Sequence, residues 1–393
     1  MIKILHTGDW HLRGQDIDEA KECLDLVIAK AEEADVVVMT GDITDRRHTL
    51  LDSYATWVAL STFEELAYHC PVIICSGTPY HEGNIAEKMR VASNKHPVIP
   101  VVGRPDIVEL DINGEKAVFS VIPQPTKQYI DTLPTIEETD DRLKAGMSGV
   151  FMNLAMRAAR MGAKYHVGVG HFTIGGAYIS ETQQMIGRDI EISREQLYIL
   201  NFELCCMGHI HKAQRIGART FYAGSLYSLT AGELDQKGFY MHTLDDGLQS
   251  EFIATPARPR VVVDLDFTAE GKALNDESQI EAALATETIP PNAKLHIRLR
   301  AWADATVTVS QETIERILKD IGVHPYSLKF EPIRVPRQNL RAQSILAATN
   351  LRSKVYEMAR TKGETVPESI LDKADLLEGE PDEDKILESV RLT

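Results

Sequence analysis

Ile2-Lys3-Ile4-Leu5-His6-Thr7-Gly8-Asp9-Trp10-His11 is a short apolar run that ends on glycine, an aspartate and a histidine. The pattern recurs along the chain. Val36-Val37-Val38-Met39 leads into Gly41-Asp42-Ile43-Thr44-Asp45, and Val72-Ile73-Ile74-Cys75 into Gly77-Thr78-Pro79-Tyr80-His81-Glu82. Val167-Gly168-Val169 leads into Gly170-His171, and Leu204-Cys205-Cys206-Met207 into Gly208-His209-Ile210-His211. Short apolar runs ended by glycine read as buried strands. In open α/β sheets, sites form beyond the carboxyl ends of the strands. Such strand ends bring Asp9, His11, Asp42, His171, His209 and His211 to one rim, with His81 beside them. One Asp-x-His or one Gly-His is an ordinary turn or capped strand end. The argument rests on the conjunction, which suits two divalent ions sharing a carboxylate.

A chain of 393 residues predicts two or more domains. With 44% hydrophobic and 25% charged residues it has an ordinary globular composition. No run approaches the roughly 20 apolar residues of a membrane span, so no membrane partner is expected. The N-terminus enters a strand at once, without a basic-then-apolar signal segment. Cys23, Cys70, Cys75, Cys205 and Cys206 are scattered, mostly in apolar runs, without C-x-x-C spacing. They read as buried thiols of a reducing, cytoplasmic protein. The formal net charge of −16 argues against a free-standing protein that coats nucleic acid electrostatically. It leaves a phosphodiesterase open, since bound ions offset local acidity and a partner subunit can supply basic surface. The chain has no G-x-x-x-x-G-K-[ST] loop for nucleotide.

In order, residues 17–33 predict a helix between the first two strands. Asp45 is placed to orient a ligand from behind, and Arg46 to meet a phosphate. A solvated, salt-bridged turn explains the arginines equally well. Residues 50–69 and 85–94 predict helices, the first rich in large apolar groups. Trp57, Phe63 and Leu66 are more apolar surface than one sheet face is expected to cover, which suggests a homodimer contact. Asn113-Gly114 signals a hairpin. Residues 123–140 read as a loop, 141–161 as a long helix, and 172–190 as a glycine-rich loop near the site. From Pro256 the pattern becomes strand, helix, strand, helix, strand without metal-ligand clusters. After Pro332 and Pro336, residues 340–360 predict an amphipathic helix with Leu340, Leu351, Val355 and Met358 on one stripe. Residues 368–377 predict another, followed by an acidic segment at 378–384. These readings divide the chain into 1–255, 256–335 and 336–393.

The motifs D-x-H, G-D-x-x-D, G-H and G-H-x-H resemble those of the calcineurin-like metallophosphoesterases. The narrower similarity is to SbcD-type DNA double-strand-break nucleases. Asp9-Trp10-His11-Leu12 looks like their start, and Ala223-Gly224-Ser225-Leu226 with Glu233 and Lys237-Gly238-Phe239 like the signature after their site. The resemblance implies an α/β fold: a four-layer β-sandwich flanked by helices, with a small α+β capping domain that binds DNA and C-terminal helices. It implies one metal held by Asp9, His11 and His211, a second held by His171 and His209, and Asp42 between them. His81 would stand near the scissile phosphate, so His81 and Asp45 are the candidate catalytic residues, with Arg46 for substrate. The ions expected are manganese, with magnesium as the alternative. The family usually reads Gly-Asn-His-Asp/Glu where this chain has Gly77-Thr78-Pro79-Tyr80-His81-Glu82. The asparagine is absent, and Thr78, Asn84 and His81 are the candidates to take its place.

The function implied is a manganese-dependent DNA nuclease, exonuclease and endonuclease. It would act as the nuclease subunit of an SbcCD-type complex with DNA and an SMC-like ATPase of the SbcC type, in the cytoplasm and on the nucleoid. The alternative is a small-molecule phosphodiesterase or phosphoprotein phosphatase on the same fold. A non-catalytic scaffold is disfavoured by the intact ligand set.

Overall fold

The computed structural model describes residues 1–46, 53–125, 140–180, 183, 190–230, 232–269, 273–305, 307–336, 345 and 348–377. The chain divides into two compact units. One comprises Met1–Val263, Glu287–Ile297 and Gly322–Lys329; the other comprises Asp264–Thr286, Arg298–Ile321 and Phe330–Thr393.

The first unit holds two six-stranded sheets. Their strands are β1 (Ile2–Thr7), β2 (Val36–Met39), β3 (Val72–Cys75), β4 (Val98–Val101), β5 (Asp106–Ile112) and β6 (Glu115–Ile122). The rest are β7 (Tyr165–His171), β8 (Leu204–Gly208), β9 (Gln214–Ile216), β10 (Thr220–Tyr222), β11 (Gly238–Leu244) and β12 (Leu248–Ala254). The orders are β12-β11-β1-β2-β3-β4 and β5-β6-β7-β8-β10-β9. Strands β1 to β4 pair in parallel, as do β6, β7, β8 and β10, with antiparallel strands at the edges.

The central strands are apolar throughout because both faces are covered. Ile2, Ile4, Val36, Val38, Ile73 and Cys75 of the first sheet share one core with Phe119, Val167, Leu204 and Cys206 of the second. Their alternates Leu5, Val37, Met39, Val72 and Ile74 face outward against α1 (Ile17–Ala31) and α2 (Tyr54–His69). On the other side Cys205, Met207 and Tyr222 pack with Met147, Phe151 and Leu154 of the helix Asp140–Met161. The result is helix, sheet, sheet, helix: the four-layer α/β sandwich expected.

Within that sandwich a line of hydrogen bonds crosses from sheet to sheet. Ser250 Oγ bonds His242 Nδ1 at 2.8 Å, His242 Nε2 bonds His6 Nδ1 at 3.3 Å, and His6 Nε2 bonds Met207 O at 3.2 Å. The carbonyl only accepts, which fixes every proton in the line when both rings are neutral. Burial pushes His6 down to about 3 and holds His242 well below the ordinary histidine range.

Helix α2 starts at Ser53, whose hydroxyl accepts from Thr56 N at 3.2 Å. Phe63 and Leu66 are fully buried, so the sheet covers two of the three residues expected to form a dimer contact. Trp57 is 55% exposed and stacks on Tyr54. The helix expected at 85–94 is one turn at Ile85–Lys88 followed by a 3-10 turn at Met89–Ala92. The Ser93 hydroxyl donates to the Arg90 carbonyl and closes it. Asn113-Gly114, with φ of 56° and 77°, turns β5 into β6 as expected.

A three-stranded sheet runs β13 (Arg260–Asp266), β14 (Lys294–Trp302), β15 (Ser327–Val335), with helices Ser278–Leu284 and Gln311–Asp320 in between. The tail differs from expectation at 348–350, which interrupt the helix expected over 340–360. Its helix runs Leu351–Lys362, because Asn350 caps it by accepting from Ser353 N at 2.8 Å. Leu340 and the acidic 378–384 lie outside the described residues. A second helix spans Glu368–Leu376, and Arg352 ties the two by pairing with Glu368, Asp372 and Asp375. All five cysteines are buried and free. Among the described residues no helix is long and apolar enough to cross a membrane.

Candidate metal centre

The loops after β1 and β2 leave the sheet side by side. Asp9 N donates to Gly41 O, His11 N to Asp42 O and Leu12 N to Ile43 O, each at 2.9 Å. This pairing puts Asp9, His11 and Asp42 on one side. Trp10 points the other way into the core, where it stacks on Phe63 with ring centroids 4.9 Å apart. His171 ends β7, and His209 and His211 follow β8. Asp9, His11, Asp42 and His209 all have positive φ, at 49°, 42°, 55° and 89°. Such backbone costs about 1–3 kcal/mol per residue and gathers at functional sites. Gly77 serves a different need: a Cβ there would lie 2.3 Å from Asp42 Oδ1.

Three of the imidazoles have one nitrogen committed. His171 Nδ1–H donates to Thr40 O at 2.6 Å, His81 Nδ1–H to Asp45 O at 2.6 Å, and His211 Nδ1–H to a Glu233 oxygen at 3.2 Å. Each neutral ring then carries its lone pair on Nε2. Donor atoms of Asp9, His11 and His211 lie within 4.8 Å of one another, and so do those of Asp9, Asp42 and His171. An Asp42 oxygen is 3.2 Å from His171 Nε2 and 3.7 Å from His11 Nε2. His209 joins through its ring, 5.1 Å from that of His171, and through its backbone N–H, which donates to both Asp9 oxygens. His11, Asp45 and His81 form a third group on the other flank of His11. Arg46 stands outside these groups, 73% exposed beside Asp45.

Burial opposes ionisation of Asp42, but His171 and His11 outweigh it and hold the carboxyl well below its usual range. Burial likewise opposes charge on His171, yet Asp42 and Asp9 push it up to about 10. Burial raises Asp9, and burial together with Asp42 lifts Glu82 to about 7. The arrangement therefore demands positive charge between its carboxylates and imidazoles. Divalent ions fit that demand. Among the described residues neither buried ring nitrogen of His11 has a hydrogen-bond partner, and the donors gathered here are imidazole nitrogens and carboxylate oxygens.

Residues 2–213 match the family described as Calcineurin-like phosphoesterase. The chain belongs to the calcineurin-like phosphoesterases. Its matched span holds all six candidate ligands, and calcineurin-like phosphoesterases are two-metal phosphoester hydrolases.

Around this phosphoesterase centre stand residues that brace the ligands, of which Gln183 and Tyr227 carry no sequence signal. Buried Gln183 donates to His209 O at 2.6 Å and accepts from His211 N at 3.1 Å, bracing both ends of the His-Ile-His turn. Tyr227 donates its hydroxyl to His11 O at 2.8 Å. Lys237 donates to His211 O at 3.0 Å and pairs with Glu233 at 2.9 Å. Glu82 accepts from Gly77 N and Ile43 N, tying the third cluster to the second.

Proposed function

We propose that this phosphoesterase is a DNA nuclease of the SbcD type, hydrolysing phosphodiesters with manganese as the subunit of a complex with an SbcC-type ATPase. The observation that carries the narrower reading is the packing behind His211. Ser225, Glu233 and Lys237, from the stretch similar to the nuclease signature, all touch that residue. Asp9, His11 and His211 would hold one ion, His171 and His209 the other, with Asp42 between. When bound, the ions supply Lewis-acid polarisation of a phosphodiester and a lowered pKa for the attacking water. The chain's own groups do the rest. Asp45 O fixes the His81 ring so that Nε2 is the atom left to serve the scissile phosphate or its leaving oxygen. Arg46, exposed at the rim, meets a backbone phosphate.

Residues 256–335 are proposed to cap the site and contact DNA, and 336–393 to dock on the ATPase. Met358, on the expected apolar stripe, remains exposed, as docking on a partner requires. Trp57 and Tyr54 are proposed as the homodimer contact, and the cytoplasm as the compartment. The test compares manganese-dependent cleavage of linear DNA with hydrolysis of bis-p-nitrophenyl phosphate, with Asp9→Asn as control. Cleavage of DNA lost in the control supports the reading. Hydrolysis of the small ester alone supports a small-molecule phosphodiesterase instead.

A further inference from the structure

We infer that the Thr78 hydroxyl belongs to the ion-binding shell on the His171 side of the centre. The inference rests on the two-ion reading of the site and not on DNA as substrate. Thr78 is buried, and its backbone N–H already donates to Asp42 Oδ1 at 2.6 Å. Its hydroxyl is thereby held 3.2 Å from Asp42 Oδ2 and 3.4 Å from His171 Nε2, and those two atoms are themselves 3.2 Å apart. Three donors at these separations outline one face of a coordination shell, since ligands at about 2.0–2.1 Å from a common ion sit roughly 3.0–3.4 Å from each other.

The other candidates for this place are elsewhere. Asn84 is exposed and its side chain caps nothing. His81 faces His11, with ring centroids 4.6 Å apart, on the opposite flank. Thr78 is also bound to the centre by its position in the chain. It follows Gly77, whose lack of a Cβ lets this backbone approach Asp42, and it precedes Pro79, which fixes the start of the turn Pro79–Glu82. An alcohol oxygen is a neutral and weak donor compared with the imidazoles of His11 and His211. The two ion positions are therefore expected to fill in sequence, with the Thr78 position second.

Manganese binding to the full chain without nucleic acid tests this, by calorimetric titration and by electron paramagnetic resonance. In the unsubstituted protein two equivalents give a spin-coupled pair. In Thr78→Val the weaker class loses about tenfold in affinity, as for other changes around metal ligands. The isolated six-line manganese signal then replaces the coupled one, while the tighter class is unchanged. Thr78→Ser, which keeps the hydroxyl, restores the coupled spectrum. Titrations of Thr78→Val that superimpose on the parent, or a Thr78→Ser that behaves like Thr78→Val, overturn the inference. A chain that binds manganese as expected but leaves DNA intact sinks the nuclease reading and leaves this one standing.

Discussion

Glu233 and His211 are 22 residues apart in sequence and 3.2 Å apart in the fold. The carboxylate fixes the imidazole tautomer and is itself paired with buried Lys237 at 2.9 Å. Burial opposes its charge, but His211 and Lys237 hold Glu233 well below the usual carboxylate range. Glu233→Gln is expected to weaken manganese binding about 10–100-fold. Lys237 keeps Asp235 at 3.2 Å and the His211 carbonyl at 3.0 Å, so stability should fall by about 1–3 kcal/mol, the worth of one charged hydrogen bond. Calorimetry and urea unfolding measure the two effects. Unaltered metal affinity would show that the carboxylate does not orient the ring.

The His81 side chain donates one hydrogen bond, to Asp45 O, beside ring contacts with His11 and Tyr80. His81→Ala should lower kcat by about 10²–10³-fold with KM and melting temperature nearly unchanged. Full turnover in that variant would falsify the assignment.

The His6–His242 pair makes stability depend on pH. Both rings are neutral in the fold, His6 down to about 3 and His242 well below its usual value. Unfolded histidine takes up a proton near pH 6.5. Between pH 6.5 and about 3 the unfolded chain therefore binds more protons, so stability is present above pH 6.5 and lost as pH falls. At pH 5.5 each ring accounts for a loss of about 1.4 kcal/mol. Urea midpoints at pH 7.5 and 5.5 measure it, and His242→Gln should reduce the difference. An identical slope in that variant would remove the pair as the cause.

Trp57 and Tyr54 stack at 5.7 Å on the outer side of α2. If they form the dimer contact, sedimentation at micromolar concentration should find a dimer, and Trp57→Glu a monomer of unchanged melting temperature. A monomeric parent protein would rule the contact out.

The strands were legible because burial on both faces writes continuous apolar runs, and the ligands because they end those runs. Gln183 was not. A buried glutamine that braces a turn 26 residues away has no local pattern. Phe63 reads as surplus surface because period alone cannot say that Trp10 stacks on it. The break at 348–350 in the helix expected over 340–360 is not legible, because the apolar stripe runs through Asn350, whose capping geometry outweighs the pattern.

His6 meets His242 across 236 residues of chain, and β1 finds its antiparallel neighbour only in β11. At roughly 5–20 residues per second, a ribosome needs about 10–50 s between the two. Through that interval Ile2, Ile4 and Leu5 sit on an unpaired edge, the condition in which nascent chains recruit chaperones or aggregate. Asp9 and His11 wait with them, so metal loading must follow translation of the segments that carry the ligands.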